Sequence, residues 1–241
     1  IIPLAALVGA PLCDKFPKDA KEVNLESISF LNSQLSKEQH VILPVSNSGY
    51  GIGKPGEFCT EESPLNPISL YGRTKVQSEK IIMERENSVS FRLATVFGMS
   101  PRMRTDLLVN YFVNKAITEK KIEIFEGDFK RNYVSVKDVA RVFLFCIENF
   151  EKLKNNIYNF GLEDVNLTKI ELAEKIKEQI KDFEYILNNN QQDPDKRDYI
   201  VSNSKILKTG FKFENSIESG IKELIDRNIQ NLDYSECSNI N

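Results

Sequence analysis

Tyr71-Gly72-Arg73-Thr74-Lys75 is the stretch on which the reading turns, taken with Ser46-Asn47-Ser48-Gly49-Tyr50-Gly51 upstream of it. A helix from Ser69 to about Arg85 puts Tyr71 and Lys75 one turn apart on one face, so they can share a site. A phenol ordinarily titrates near ~10, too high for a base at neutral pH, and a neighbouring ammonium favours the phenolate. Lys75 is therefore expected to make Tyr71 a usable acid/base. A hydroxyl from Ser46 or Ser48 could hold the reacting oxygen while a nicotinamide ring takes a hydride. On its own a Tyr-x-x-x-Lys spacing more often only decorates an amphipathic helix, so the surrounding order decides.

That order is an apolar run Val41-Ile42-Leu43-Pro44-Val45, then Ser46 and Ser48, then Tyr50-Gly51. A Gly/Pro-rich connection follows, with Pro64 and Pro67, and then Tyr71-Gly72-x-x-Lys75. This arrangement resembles the extended short-chain dehydrogenase/reductase family, specifically its nucleotide-sugar epimerases and dehydratases. There the hydroxyl residue lies four before the Tyr of a Tyr-Gly pair, which is Ser46 here. The resemblance implies an α/β fold: a Rossmann-type doubly wound parallel sheet with a smaller C-terminal α/β substrate domain. It divides the chain into residues 1–98 and 131–161 of the dinucleotide-binding domain, a substrate-domain insertion at 99–130, and a substrate-binding domain at 162–241.

Composition agrees with a globular protein. The 241 residues, 41% hydrophobic and 28% charged with a net charge of −3, are enough for one large core or two modest ones. No basic excess points to nucleic acid or to an anionic membrane, and neither is an expected partner. The apolar opening is interrupted by Pro3, Gly9 and Pro11, so neither a signal peptide nor a spanning helix is expected, and the cytoplasm is the default location. Cys13, Cys59, Cys146 and Cys237 are scattered without a CxxC pair, and His40 is the only histidine. Reduced structural thiols are expected, with no metal site. A catalytic histidine would have to be His40, which has no apparent partner.

In chain order, Ile1-Ile2-Pro3-Leu4-Ala5-Ala6-Leu7-Val8 reads as the end of a buried strand. By resemblance Ala5 and Ala6 match the alanines packed against the dinucleotide, and Pro3 replaces a common His. No glycine-rich phosphate turn precedes them, so the expectation is a fragment lacking roughly three N-terminal strand–helix units of the sheet. Val23, Ile28, Leu31 and Leu35 mark a helix over about Lys18 to Leu35. Its Asn24 is either an exposed helix residue or the family's active-site support. The helix of Tyr71 carries Val76, Ile81, Ile82 and Met83, and the family pairs these two helices in a homodimer.

Val89 to Gly98 is expected as one strand, matching the family's R-x-x-N-x-Y-G segment beneath the nicotinamide. Thr95 stands for the Asn as a substrate contact, Val96 faces the cofactor, and Phe97 stands for the Tyr. A helix around Asp106 to Thr118 precedes strands at Lys121–Phe125 and Arg131–Val136. Next come a helix over Val139–Glu148, a short strand at Ile157–Gly161, a capped helix after Asn166-Leu167-Thr168, a polar linker at 188–194, a last helix near Ile217–Ile225 and a frayed tail. The resemblance makes Arg131 and Arg197 the arginines of a sugar-linked diphosphate; taken singly, each reads as a surface charge.

By the same resemblance the chain is an NAD-dependent epimerase of UDP- or GDP-hexoses, most like the 4-epimerases, with NADP the alternative cofactor. Tyr71 takes the proton, Lys75 holds the nicotinamide ribose, and Ser46 polarises the reacting oxygen. A 4,6-dehydratase would carry a carboxylic acid at Asn47 or Ser48, which neither can supply. A keto-sugar reductase uses the same Ser/Tyr/Lys set and stays open, as does a non-enzymatic member of the fold. The family's usual setting is surface-polysaccharide biosynthesis.

Overall fold

The structure, a computed structural model, describes residues 1–188 and 197–227. The expected linker at 188–194 lies, from 189 on, outside the described residues, as does the tail from 228 with Cys237. The chain begins with α1 (Ala10–Lys15), α2 (Pro17–Lys21), a π-helical turn over Glu22–Glu26 and α3 (Ser27–Gln34). The expected helix from Lys18 is therefore continuous but widened at its centre, and the extra residue turns Asn24 inward, where it is buried. Then follow β1 (Val41–Ser46), a 3-10 turn at Asn47–Tyr50, β2 (Phe58–Cys59), α4 (Leu70–Met83) and β3 (Ser88–Leu93).

Beyond β3 lie β4 (Thr95–Phe97), α5 (Leu108–Thr118), β5 (Lys121–Ile124), β6 (Lys130–Ser135), α6 (Val136–Glu148), α7 (Phe150–Leu153) and β7 (Asn156–Phe160). The described chain ends with β8 (Asn166–Thr168), α8 (Lys169–Gln179), β9 (Glu184–Leu187), β10 (Ile200–Val201), α9 (Ser204–Leu207) and α10 (Ile217–Asp226). Thr168 caps α8 in a reciprocal capping box with Glu171, as its sequence signature anticipates.

β1, β3 and β7 form a parallel sheet with β3 in the middle. Parallel strands covered on both faces favour near-continuous apolar runs, which Val41-Ile42-Leu43 supplies, whereas β3, buried over its first five residues, alternates Val89 and Phe91 with the buried polar Ser88, Ser90 and Arg92. α4 crosses over from β1 to β3 and packs on both. Phe91 on β3 meets Phe143, Tyr158 and Phe160, and Phe160 meets Phe211. Each such ring, once buried, contributes about 1.5–3 kcal/mol.

The single strand expected over Val89–Gly98 is two. Ala94 N–H donates to Phe160 O at 2.9 Å, and the chain then leaves β7, so that β4 pairs in parallel with β6 of a different sheet. Having no side chain beyond Cβ, Ala94 fits this tight change of partners. β6 also pairs antiparallel with β8, and β5 with β9 in parallel. The opening segment is not a regular strand: Ile42 N–H donates to Ile1 O at 2.9 Å, and Pro3 has no N–H with which to extend a ladder. A second apolar core gathers Phe97, Phe112, Leu172 and Ile221 from β4, α5, α8 and α10, with Phe183 from the connection between α8 and β9. A cavity opens over the C-terminal ends of β1 and β3, where open α/β sheets hold ligands.

Candidate active site

Ser46 closes β1 and caps the 3-10 turn, its Oγ accepting from Ser48 N–H at 3.2 Å. Tyr71 is the second residue of α4, whose first turn is fixed by Ser69 Oγ accepting from Gly72 N–H at 3.1 Å. Strand end and helix start thus face each other across one cavity wall, and the Ser46 hydroxyl is among the groups that hold the pKa of the Tyr71 phenol down. Lys75 lies one helical turn on, only 6% exposed. Burial pulls its ammonium down to about 8, so it is mainly charged at neutral pH but close to titrating.

Burial is also the largest influence on Tyr71, and it pushes the phenol up. Against it act the Arg197 guanidinium, the Ser46 hydrogen bond and the Arg104 guanidinium, while Cys13 adds to the rise.

A cavity of about 550 Å³ encloses this group, within the ~300–1,000 Å³ common for small-molecule sites. Its wall includes Ser46, Tyr71, Lys75, Thr95 and Val96, and Ala6 with Val8 on the opening segment. Arg131 from β6 and Arg197, just before β10, reach the same cavity although 66 residues of sequence separate them. Arg131 is 3% exposed, with Nη1 donating to Lys130 O at 3.0 Å.

Two anticipated residues are not on the wall. Ser48 is buried inside the 3-10 turn, which rotates its hydroxyl away from that of Ser46, and its Oγ has no hydrogen-bond partner. Ala5 is exposed, while Ala6 lines the cavity, as successive residues of an extended segment face opposite ways. Asn24 acts at one remove. Its Oδ1 accepts from Leu7 N–H at 2.8 Å and its Nδ2 donates to Leu7 O at 2.9 Å, holding the segment between Ala6 and Val8 like a strand partner.

The cavity also includes residues that the sequence did not single out: Arg104, Asp106, Tyr111, Lys169 and Tyr199. Arg104 Nε donates to Asp106 Oδ1 at 3.0 Å in a two-point pair at the start of α5. Local sequence gives little warning of these, because each reads as an ordinary loop or helix-end residue. The small apolar groups of Ala6, Val8, Ala94 and Val96 beside the Tyr71 hydroxyl and Lys75 ammonium suit a flat heteroaromatic ring bearing a ribose. No cluster of metal-ligating side chains occurs among the described residues, and no helix there is long and apolar enough to cross a membrane.

A sequence model of the NAD dependent epimerase/dehydratase family matches residues 1–161. The chain is 26% identical over 161 residues to a UDP-glucose 4-epimerase of Lactobacillus helveticus, covering 57% of this chain and 48% of that protein. It thus spans about half the length of that relative. A putative UDP-glucose 4-epimerase of Methanocaldococcus jannaschii is 24% identical over 210 residues, covering 84% of this chain and 67% of the relative. Among solved structures, the UDP-glucose 4-epimerase of Thermotoga maritima with UDP-glucose superposes with a TM-score of 0.81 at 23% identity, covering 95% of this chain and 77% of that one, a likeness of fold. The α/β chain with its parallel Rossmann-type sheet belongs to the NAD-dependent epimerase/dehydratase family.

Proposed function

We propose that the protein is a nucleotide-sugar epimerase acting on a UDP- or GDP-hexose, at C4, through a transient keto-sugar. The observation that carries this reading is the convergence of Ser46, Tyr71 and, one helical turn on, Lys75 on one cavity wall. Lys75 and the Ala6, Val8 and Val96 wall would hold NAD, which would supply the hydride acceptor and donor for the sugar carbon. Tyr71 accepts the proton of the reacting hydroxyl at its phenolic oxygen and gives it back when the carbonyl is reduced. Ser46 Oγ donates to the same sugar oxygen and holds it against Tyr71. Lys75 holds the nicotinamide ribose, and its ammonium favours the phenolate once the site is closed.

Arg131 and Arg197 are assigned to the diphosphate, and Thr95 to the sugar. The domain division anticipated from the sequence, with sugar contacts from residues 99–130 and beyond 162, accompanies this assignment. Association of two copies through α3 and α4 is proposed as well, in keeping with Phe30 at 68% exposure on α3. The proposed location is the cytoplasm.

The test is to incubate the protein with UDP- and GDP-hexoses and NAD, following the sugar by NMR beside Tyr71→Phe. Inversion at one carbon without net cofactor turnover, lost in the variant, is the expected result. Net NAD(P)H consumption on a 4-keto-sugar, with no inversion, would make the protein a reductase instead.

A further inference from the structure

Arg104 and Asp106 form an ion pair that neither the fold nor the roles above account for. The loop that carries them, between β4 and α5, is held by other groups. Asn110 Oδ1 accepts from Gly98 N–H at 3.0 Å, Asn110 Nδ2 donates to Arg104 O at 2.7 Å, and Met103 is anchored in the second apolar core. The pair joins residues two apart in sequence, so it ties the loop only to itself. Such a pair gives little net stability once buried, since desolvation offsets the attraction. Yet the two side chains are only 17% and 11% exposed, and they lie on the cavity wall that also holds Ser46, Tyr71 and Thr95.

The pair stands near the reacting end of the cavity, for the Arg104 guanidinium is one of the charges that act on the Tyr71 phenol. Arg104 uses Nε and Nη2 on Asp106 and leaves Nη1 without a hydrogen-bond partner among the described residues. Asp106 accepts from Arg104 at each carboxylate oxygen and has lone pairs for further donors. Donors and acceptors therefore stand side by side on an element with no net charge. Neighbouring hydroxyls of a sugar match that pattern, because one O–H donates to the carboxylate while the next oxygen accepts from the guanidinium. A sugar carboxylate does not match it. Asp106, the one carboxylate on that wall among the described residues, neutralises the cation such a group needs and repels it.

We propose that the Arg104–Asp106 pair is the sugar-specificity element of this site, selecting a neutral hexose by two adjacent hydroxyls and rejecting a uronic acid. This rests on the nucleotide-sugar reading above and adds the class of sugar to it.

The test compares wild type, Asp106→Asn and Arg104→Met by calorimetric titration in the presence of NAD, with thermal melts alongside. The probes are UDP, UDP-glucose and UDP-glucuronate, and the parallel set GDP, GDP-mannose and GDP-mannuronate. For the nucleotide that binds, wild type is expected to hold the neutral sugar nucleotide more tightly than the bare diphosphate or the uronate. Asp106→Asn is expected to lose the neutral sugar roughly tenfold, to keep the bare diphosphate within about twofold, and to gain the uronate roughly tenfold, because the guanidinium is released to pair with it. Arg104→Met loses the neutral sugar likewise and gains no uronate. A gain of affinity is an outcome that misfolding does not produce. Wild type holding the uronate as tightly as the neutral sugar would overturn the proposal, as would an Asp106→Asn variant with no gain for the uronate. Equal losses for bare diphosphate and sugar nucleotide, with a lowered melting temperature, would assign the pair to the fold of the loop and also overturn it. Each of these results leaves the nucleotide-sugar reading in place; a wild type that binds none of the probes would remove that reading, and this inference with it.

Discussion

Glu79 and Arg92 form a buried ion pair that fastens α4 to β3, Arg92 Nη2 lying 2.7 Å from Glu79 Oε1 with both side chains 5% exposed. Arg92 Nε reaches both carboxylate oxygens, and Ser90 Oγ donates to Oε2 at 2.9 Å. The other end of the guanidinium donates to Tyr50 OH and Glu61 O, and Tyr50 OH donates to Asn159 Oδ1 on β7. One network therefore ties the helix bearing Tyr71 and Lys75 to the 3-10 turn after Ser46 and to the loop at Glu61. Truncating one partner leaves an uncompensated buried charge, and Glu79→Ala is expected to cost about 3–5 kcal/mol. Urea denaturation measures this; a loss below about 1 kcal/mol would mean that water reaches and solvates Arg92.

Lys75 gives a pH signature for the protein without cofactor. Its folded-state pKa of about 8 lies below the ordinary lysine value of 10.5. Between those limits the unfolded chain holds a proton that the folded chain has released, so stability rises with pH through this window. Below about pH 8 both states are protonated and the full cost of the buried charge is present. Lys75→Met removes the group, so its stability relative to wild type is greatest below pH 8 and shrinks towards 10.5. Chemical denaturation from pH 7 to 10.5 measures the difference, and parallel curves for the two proteins would show that Lys75 is solvated.

Much of this was legible in the sequence where the signal was local. The run before Ser46, the Tyr71–Lys75 spacing and the Thr168 cap each lie within one element, and β1, α4 and α8 formed where periodicity and capping put them. Arg131 and Arg197 were anticipated through the family resemblance, and both reach the cavity. Convergence over long range was not legible. Lys169 and Arg104 are ordinary first-turn and loop residues until the β6–β8 ladder and the start of α5 close on the cavity. The burial of Ser48 depends on a 3-10 turn, and the break at Ala94 on which strand lies beside it; neither feature has a periodicity to read.

Asn24 offers a local test of how the cavity wall is held. Replacing it by Ala removes both bonds to Leu7 and leaves the Leu7 backbone N–H and C=O to find other partners. A stability loss of about 2–3 kcal/mol is expected, with a specific loss of amide-exchange protection at Leu7. Unchanged protection of the Leu7 amide in the variant would show that the segment is held by other contacts.

Gly161, immediately after β7, has no room for a methyl group. A Cβ there would lie 1.7 Å from Asn132 Oδ1 and 2.8 Å from the Ala94 Cβ. Asn132 cannot yield cheaply, because it is buried and its Nδ2 donates to Leu162 O and Val165 O while its Oδ1 accepts from Asn203 Nδ2. Gly161→Ala is therefore expected to cost about 3 kcal/mol or more, by overpacking and by stranding buried amides. Since Asn132 adjoins Arg131 on β6, the variant is also expected to bind UDP or GDP more weakly. Gly56 is the control: its added Cβ meets nothing within 4 Å, but its φ of +76° is left-handed, so Gly56→Ala should cost only about 1–2 kcal/mol and leave nucleotide affinity alone. Since Gly161, unlike Gly56, does not have a left-handed φ, a loss at Gly161 no larger than that at Gly56 would mean that Asn132 and Ala94 yield to the added methyl.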